Sequence, residues 1–393
     1  MNEEILRVGM VGLGMVARAH VKGYESHPMA RLAAVCDLAE EQAKRFAADH
    51  GNADVYTSYE EMIKEADLDV VDIGTPTFMH IPVAVAAAKA GKHVHCEKPF
   101  CRSIGEGLEA CRAAAENGVK IVVGETYVFH ASHVKARELI EAGEIGKPLQ
   151  IRQRKASWKR KGQRRQPSRR QNATEGWRGD AEQSGGGDYP WVFDHAVHFF
   201  AAAEYFMLDL AITEVYSVPG TRRIQPDSEL SQASTSVPRL DVPIITFRFE
   251  DSDCQGVWTS AEKQSGKFDF MHGFSTQIVG EKGMIEVLGE GGGNLIWNGQ
   301  QEHLVLHLEG KETQCFRFDE GGDDIWDSDI AYYSQGHINQ IHHLIECILK
   351  DEDPRYTGED GTHAVACTLA AIHSAREGRP VKLEEIDESY TAF

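Results

Sequence analysis

Positive charge is scarce in this chain. Its 41 lysines and arginines face 61 aspartates and glutamates, leaving 393 residues with a formal charge of −20. A field of that sign repels phosphate backbones and anionic lipid, so neither nucleic acid nor membrane is an expected partner. Long apolar runs are missing too. A bilayer span needs roughly 20 apolar residues, and the first apolar stretch is already interrupted by Gly9, Gly12 and Gly14. The opening Met-Asn-Glu-Glu has neither the basic start nor the small-residue cleavage site of a secretory leader. The eight cysteines are scattered without a Cys-x-x-Cys pair, which excludes zinc-ribbon and thioredoxin-type signatures. Buried reduced thiols and a cytoplasmic location are the expectation. No repeat or heptad array is evident.

What is present reads as an enzyme of two domains, because a single hydrophobic core rarely grows to this length. Apolar strand candidates at 5–11, 31–36, 68–73, 92–96 and 119–123 alternate with helical segments. Ser58 with Glu61 and Ser103 with Glu106 have capping-box spacing, and Gly118 stands where a helix would stop. Such alternation predicts right-handed βαβ crossovers and a doubly wound parallel sheet over residues 1–125. From 126 to 393 the pattern changes. Short β-like runs at 244–249, 254–260, 274–280, 283–288, 294–297 and 303–307 predict an antiparallel sheet, and helices at about 336–350 and 359–377 close the chain.

The first crossover carries Gly12-Leu13-Gly14-Met15-Val16-Ala17 between a strand and a helix. Gly12 permits a tight turn, Gly14 lets backbone approach a pyrophosphate, and Ala17 allows close helix–sheet packing. Asp37 follows the next strand, 20 residues beyond Ala17. A carboxylate there accepts bonds from ribose hydroxyls and repels a 2′-phosphate, which predicts NAD over NADP. The competing role for Asp37 is that of a turn or cap residue.

Two places carry reactive groups. Glu97-Lys98-Pro99 ends a strand, where ligands of doubly wound sheets lie, so the Lys98 ammonium is a candidate to hold or polarise a reacting oxygen. The second is Asp194-His195-Ala196-Val197-His198, after the triplet Gly185-Gly186-Gly187. On a helix Asp194 and His198 share a face, giving a proton carrier with a carboxylate to orient it, while His195 points elsewhere. A structural ion pair is the plainer alternative. Asp194, His195 and His198 do not complete a metal set, and no metal is expected. Residues 151–171 hold ten basic residues and no acid. We read this segment as a solvated loop or an arm on an acidic neighbouring subunit, with an anion-attracting lid as the alternative.

Together these features resemble the Gfo/Idh/MocA family, the glucose-fructose oxidoreductase and inositol dehydrogenase group. The likeness rests on the glycine turn, Thr75-Pro76 with His80, Glu97-Lys98-Pro99, Gly143-Glu144-Ile145-Gly146-Lys147-Pro148, the glycine triplet and Asp194-x-x-x-His198. It implies a Rossmann domain followed by an α+β domain with a large open, mainly antiparallel sheet. It further implies NAD held by Gly12, Gly14, Met15, Val16, Asp37, Thr75, Pro76, His80, Glu97 and Lys98. Lys98, Asp194 and His198 would correspond to the family's catalytic lysine, aspartate and histidine. Relatives act on sugars, sugar derivatives and cyclitols, usually as homodimers or homotetramers. Departures concern the substrate. Thr126 and Val128 stand where relatives usually have Asn and Arg, Ala196 replaces a common glycine, and about three extra residues precede Asp194. The expected reaction is hydride transfer between nicotinamide and a secondary alcohol or ketone. Alternatives are a glycosidase or lyase that oxidises its sugar transiently, and a non-catalytic NAD-binding regulator.

Overall fold

The computed structural model describes residues 5–155, 176–218, 244–260, 274–288, 296–297, 300–301, 304–318 and 331–393. The chain forms two compact units, Met1–His130 with Asp319–Val365, and Ala131–Phe318 with Ala366–Phe393.

The first unit is built on β1 (Leu6–Val11), β2 (Ala30–Cys36), β3 (Asp54–Tyr56), β4 (Val70–Ile73), β5 (His93–Glu97) and β6 (Ile121–Gly124). They form one sheet in the order β3-β2-β1-β4-β5-β6, parallel throughout. The intervening helices are α1 (Ala17–Glu25), α2 (Glu40–Asp49), α3 (Tyr59–Glu65), α4 (His80–Lys89) and α5 (Ile104–Asn117). Strand order reverses between β1 and β4, so the crevice for a ligand opens at the carboxyl ends of these strands. Val8, Val70, Val71, Ile73 and Val94 are fully buried, as expected where helices cover both faces of a parallel sheet. The serine half of each expected capping box is present, while Glu106 accepts from the Arg102 amide at 2.8 Å rather than from Ser103. Ser58 accepts from the Glu61 amide and Ser103 from the Glu106 amide, contacts typically worth about 1 kcal/mol each. Gly118 closes α5 in the left-handed conformation at φ 64°.

In the second unit α6 (Ala131–Glu141) precedes β7 (Pro148–Lys155), and α7 (Ala181–Ser184) precedes α8 (Pro190–Phe206). Next come β8 (Ile212–Val218), β9 (Ile244–Phe249), β10 (Gln255–Ser260), β11 (Phe274–Gly280), β12 (Gly283–Leu288), the short β13 (Ile296–Trp297) and β14 (Gln300–Gln301), β15 (Leu304–Leu308) and β16 (Gln314–Phe316). Nine strands make one sheet, ordered β16-β15-β12-β11-β7-β10-β9-β8-β17, with β17 spanning Val381–Lys382. Only β7 and β10 pair in parallel among the described ladders of this sheet.

The expected fold class is therefore the observed one, with two corrections. The run at 294–297 does not join the large sheet, because Ile296–Trp297 pairs with Gln300–Gln301 as a separate two-stranded hairpin. The start of the basic segment is not a loop. Residues 151–155 belong to β7, with Ile151 and Gln153 buried and Arg152 and Arg154 exposed on alternate sides. The rest of the segment lies outside the described residues. The helix α9 (Ala331–Lys350) starts earlier than its periodicity indicated and packs on α1, where a Cβ on Gly23 would lie 2.7 Å from Ile341 Cβ. The final helix, α10, spans Gly358–Glu377. Seven cysteines are buried, and Cys315 on β16 is the exposed exception.

Candidate active site

The glycine turn is built by geometry that side chains would forbid. Gly12 sits at φ 84°, and a Cβ there would come within 2.8 Å of Gly74 C and Thr75 N. Glycine is thus required for conformation and for close approach of two strand ends. Gly14 is different, because a Cβ built there meets nothing within 4 Å. The space in front of it, just before the amino end of α1, is open to a ligand. Met15 is exposed, and Val16 occupies the cap position with helical dihedrals.

Asp37 closes β2 and grips the same turn. One carboxylate oxygen accepts from the Leu13 amide at 2.9 Å and the other from the Ala39 amide at 2.9 Å. Gln42 donates to Leu13 O at 2.6 Å, tying α2 to the turn as well. The turn role foreseen for Asp37 is thus present in the structure. Gln42 also donates to the Leu13-bound oxygen at 3.4 Å, while the oxygen that accepts from Ala39 keeps a further lone pair for a ribose hydroxyl.

Beyond β4, Thr75 and Pro76 lead into a short 3-10 turn, Thr77–Met79. The Thr75 hydroxyl is buried and meets no hydrogen-bond partner among the described residues, a polar group of the kind that a bound ligand satisfies. His80 is buried, with Nδ1 2.8 Å from Pro99 O and Nε2 2.9 Å from Thr75 O. Both of its nitrogens thus face main-chain carbonyls, one of which accepts the single N–H of the neutral ring, and the ring sits between the Thr75 segment and the Lys98–Pro99 segment. Burial pulls its pKa down, against the pull of those carbonyls. The Lys98–Pro99 peptide is cis.

An open cradle at Gly14, a left-handed Gly12, an anchored carboxylate at the end of β2 and an unsatisfied Thr75 hydroxyl together fit a dinucleotide.

A buried polar cluster beneath β4 and β5 escaped the sequence reading. His20 of α1 places Nδ1 3.0 Å from Asp72 Oδ1 and Nε2 3.1 Å from Glu97 Oε1. The other Asp72 oxygen receives Tyr24 Oη at 2.9 Å and His95 Nδ1 at 2.8 Å. His337 of α9 brings Nδ1 to 3.9 Å from Glu97 Oε1. Glu97 Oε2 accepts from the Lys98 amide at 3.2 Å. Burial alone would lower the His20 pKa, but Asp72 and Glu97 outweigh it and raise it to about 10. Burial likewise opposes the charge on Glu97, yet His20, His337 and Lys98 hold its pKa at about 2. Asp72, against the same penalty, is held well below the carboxylate range by His20 and His95. One signal was readable: an aspartate inside the apolar run of β4 demands a buried partner.

In the second unit, α8 begins with Pro190 in its first turn, a position that needs no amide donor. Asp194, His195 and His198 all lie on this helix. Asp194 Oδ2 is 3.6 Å from His195 Nδ1, which donates to Trp191 O at 2.9 Å. The His195 ring stacks on Trp191 at 4.7 Å. His198 is buried, and Phe199 beside it stacks on Trp258 at 4.7 Å. Gln153 of β7 donates to Phe199 O at 2.8 Å, fixing the helix on the sheet. Asp194 and His195 are each about a quarter exposed or less.

Comparison with known proteins matches this architecture along most of the chain. Residues 6–125 match the Gfo/Idh/MocA oxidoreductase family's NAD-binding Rossmann fold, and residues 137–383 match its C-terminal alpha/beta domain. The chain belongs to this family. It is an oxidoreductase with an NAD-binding Rossmann fold. Among its relatives, scyllo-inositol 2-dehydrogenase (NAD(+)) of Bacillus subtilis is 27% identical over the full length of both chains. The 2,7-anhydro-N-acetylneuraminate hydratase of Mediterraneibacter gnavus is 26% identical, covering 91% of each. Among solved structures, a levoglucosan dehydrogenase in complex with NADH and levoglucosan shares the fold with a TM-score of 0.76 at 20% identity, covering 97% of this chain and all of that one. Among the described residues no helix is long and apolar enough to cross a membrane.

Proposed function

We propose that this protein transfers hydride between NAD and a secondary alcohol or ketone on a sugar, sugar derivative or cyclitol. The observation that carries the proposal is the cofactor cradle, Gly12 and Gly14 clasped by Asp37, in a chain alike end to end with an inositol dehydrogenase. Gly14, Met15 and Val16 would face the pyrophosphate, Asp37 the adenosine ribose, and Thr75 and Pro76 the cofactor beyond β4. His80 would hold the surrounding segments rather than touch the cofactor, because both its nitrogens face main-chain carbonyls. When bound, NAD supplies the hydride acceptor.

The carbinol carbon loses a hydride while its hydroxyl loses a proton, so the protein must handle the proton. We assign the proton to His198, the holding of the reacting oxygen to the Lys98 ammonium, and the tuning of the histidine to Asp194. Neighbours of Asp194 in space include His195, so variants of all three side chains are needed to separate their roles. A cytoplasmic setting and a homodimer or homotetramer remain part of the proposal.

One relative is named a hydratase, which favours a second reading in which the oxidation is transient and the bound cofactor is regenerated. A panel of sugars, cyclitols and glycosides, followed for NADH absorbance and for released aglycone or anhydro product, separates the two. The proposal expects NADH to accumulate in step with ketone. Bond cleavage or hydration without NADH would replace it with the second reading, and silence on the whole panel would remove both.

A further inference from the structure

We propose that His20 is a positioning residue for Lys98, acting as a buried imidazolium that bridges Asp72 and Glu97. The proposal rests on the reading of Lys98 as the group that holds the reacting oxygen.

The protonation state follows from contact geometry. A neutral imidazole has one N–H and one lone pair. Each His20 nitrogen lies 3.0–3.1 Å from a carboxylate oxygen, and an ionised carboxylate only accepts. A neutral ring would set its lone pair against one of those oxygens, deep in the core, where an unmet polar contact is costly. Two N–H donors satisfy both contacts.

The neighbours keep the two carboxylates that face His20 ionised. On α1, Tyr24 donates to Asp72. On β5, His95 donates to the same Asp72 oxygen, and its ring meets His20 edge-on at 4.7 Å. On α9, His337 approaches Glu97 and its ring lies 5.4 Å from that of His20. Asp72 and Glu97 are the two carboxylates among these groups, and Lys98 contributes its charge beside Glu97.

The bridge has a direction. His20 sits in the first turn of α1, the helix that the glycine cradle opens into. From there it reaches β4 through Asp72 and the end of β5 through Glu97. Glu97 spends one oxygen on His20 and the other on the Lys98 main chain. It is further confined because a Cβ on Gly124 would lie only 2.8 Å from Glu97 Oε1. A single buried cation thus fixes the helix that begins at the cofactor cradle and the main chain that carries Lys98. Without it, Glu97 loses its deepest anchor, and the Lys98 backbone loses a fixed acceptor. Displacement of a reacting group by about 1 Å costs on the order of 10²-fold in rate.

The test uses the full-length protein labelled with ¹⁵N-histidine, with His20 assigned by comparison with His20→Gln. At about pH 8.5, roughly two units above the ordinary histidine value, both His20 nitrogens should give imidazolium signals. A neutral His20 there overturns the proposal. His20→Gln should lower kcat by about 10²-fold with NADH affinity unchanged within roughly threefold, and should alter the rate at which trinitrobenzenesulfonate labels Lys98, read by peptide mass. A variant with lowered thermal stability but wild-type Lys98 labelling would reduce His20 to a structural role and overturn the proposal. If His20→Gln does not fold, Glu97→Gln carries the same labelling test, and should also move His20 toward the neutral signal. The NMR and labelling measurements need no substrate. If the wild type oxidises no polyol, the functional reading fails while these two measurements still decide the protonation and positioning of His20.

Discussion

Exchanging each turn glycine for alanine should separate conformation from ligand binding within one loop. At Gly12 the backbone stands at φ 84°, a conformation that costs an L-residue roughly 1–2 kcal/mol. The new Cβ would also press on Gly74 C, Thr75 N and Gly74 O at 2.8–2.9 Å, all main-chain atoms that cannot swing aside. Gly12→Ala should therefore destabilise the unliganded protein by about 2 kcal/mol or more. At Gly14 the added methyl meets no protein atom within 4 Å, so unliganded stability should stay within about 0.5 kcal/mol. The cost appears only with cofactor, where the methyl occupies the approach of the pyrophosphate. Hydrogen bonds to charged groups contribute about 1.5–3 kcal/mol, so weakening one should raise the NADH Kd about 10–100-fold. Linkage makes this measurable by melting. Cofactor at about 100 times Kd stabilises by about 2.7 kcal/mol, and a Kd weakened 100-fold leaves only about 0.4 kcal/mol at the same concentration. Thermal unfolding with and without NADH, together with a fluorescence titration, reads both quantities. Wild-type NADH affinity in Gly14→Ala, or a loss of unliganded stability equal to that of Gly12→Ala, would refute the assignment of the cradle.

Asp37 should set cofactor choice. Wild type is expected to bind NAD more tightly than NADP, and Asp37→Ser to narrow the gap while losing stability through the Leu13 and Ala39 amides; NADP binding as tight as NAD in wild type would sink this role. His20 should also leave a mark on stability against pH. Its pKa is raised from 6.5 to about 10 on folding, so the folded state holds the extra proton. That stabilisation is full below about pH 6.5 and is lost as pH rises through about 10, with a slope of at most about 1.4 kcal/mol per unit. Urea unfolding between about pH 6.5 and 7.5, below the ordinary thiol range, should show a steeper decline in wild type than in His20→Gln. Equal slopes in the two proteins would contradict the buried imidazolium.

The parts of this fold legible in sequence were those set by local chemistry. Ser58, Ser103 and Gly118 act on amides and dihedrals within a turn of themselves, and the cradle of Gly12 and Gly14 announces itself by spacing. Strand β7 was hidden because Arg152 and Arg154 alternate with Ile151 and Gln153, and the basic residues masked a period of two. The hairpin at Ile296–Trp297 looked like any sheet strand, since an apolar run carries no information about which partner it pairs with. The cluster of His20, Tyr24, Asp72, His95, Glu97 and His337 was illegible for a deeper reason. Its members come from four elements separated by up to 317 positions, and the crossovers of the first unit together with the packing of α9 on α1 bring them together. At the candidate site, residue types could be named from Glu97-Lys98-Pro99 and Asp194-x-x-x-His198. The placement of both His80 nitrogens against main-chain carbonyls and the approach of Asp194 to His195 required coordinates.

The most direct test of the central claim is single-turnover reduction of NAD by the polyol that the panel identifies, in wild type, His198→Asn, Lys98→Ala, Asp194→Asn and His195→Asn, with NAD affinity measured in parallel. Loss of a proton-handling group typically slows chemistry by about 10²–10⁴-fold. The account predicts losses on that scale for His198→Asn and Lys98→Ala with nearly unchanged NAD affinity. It predicts a smaller loss or a shifted pH profile for Asp194→Asn, and little change for His195→Asn. Near-normal turnover in His198→Asn beside an inactive His195→Asn would contradict it.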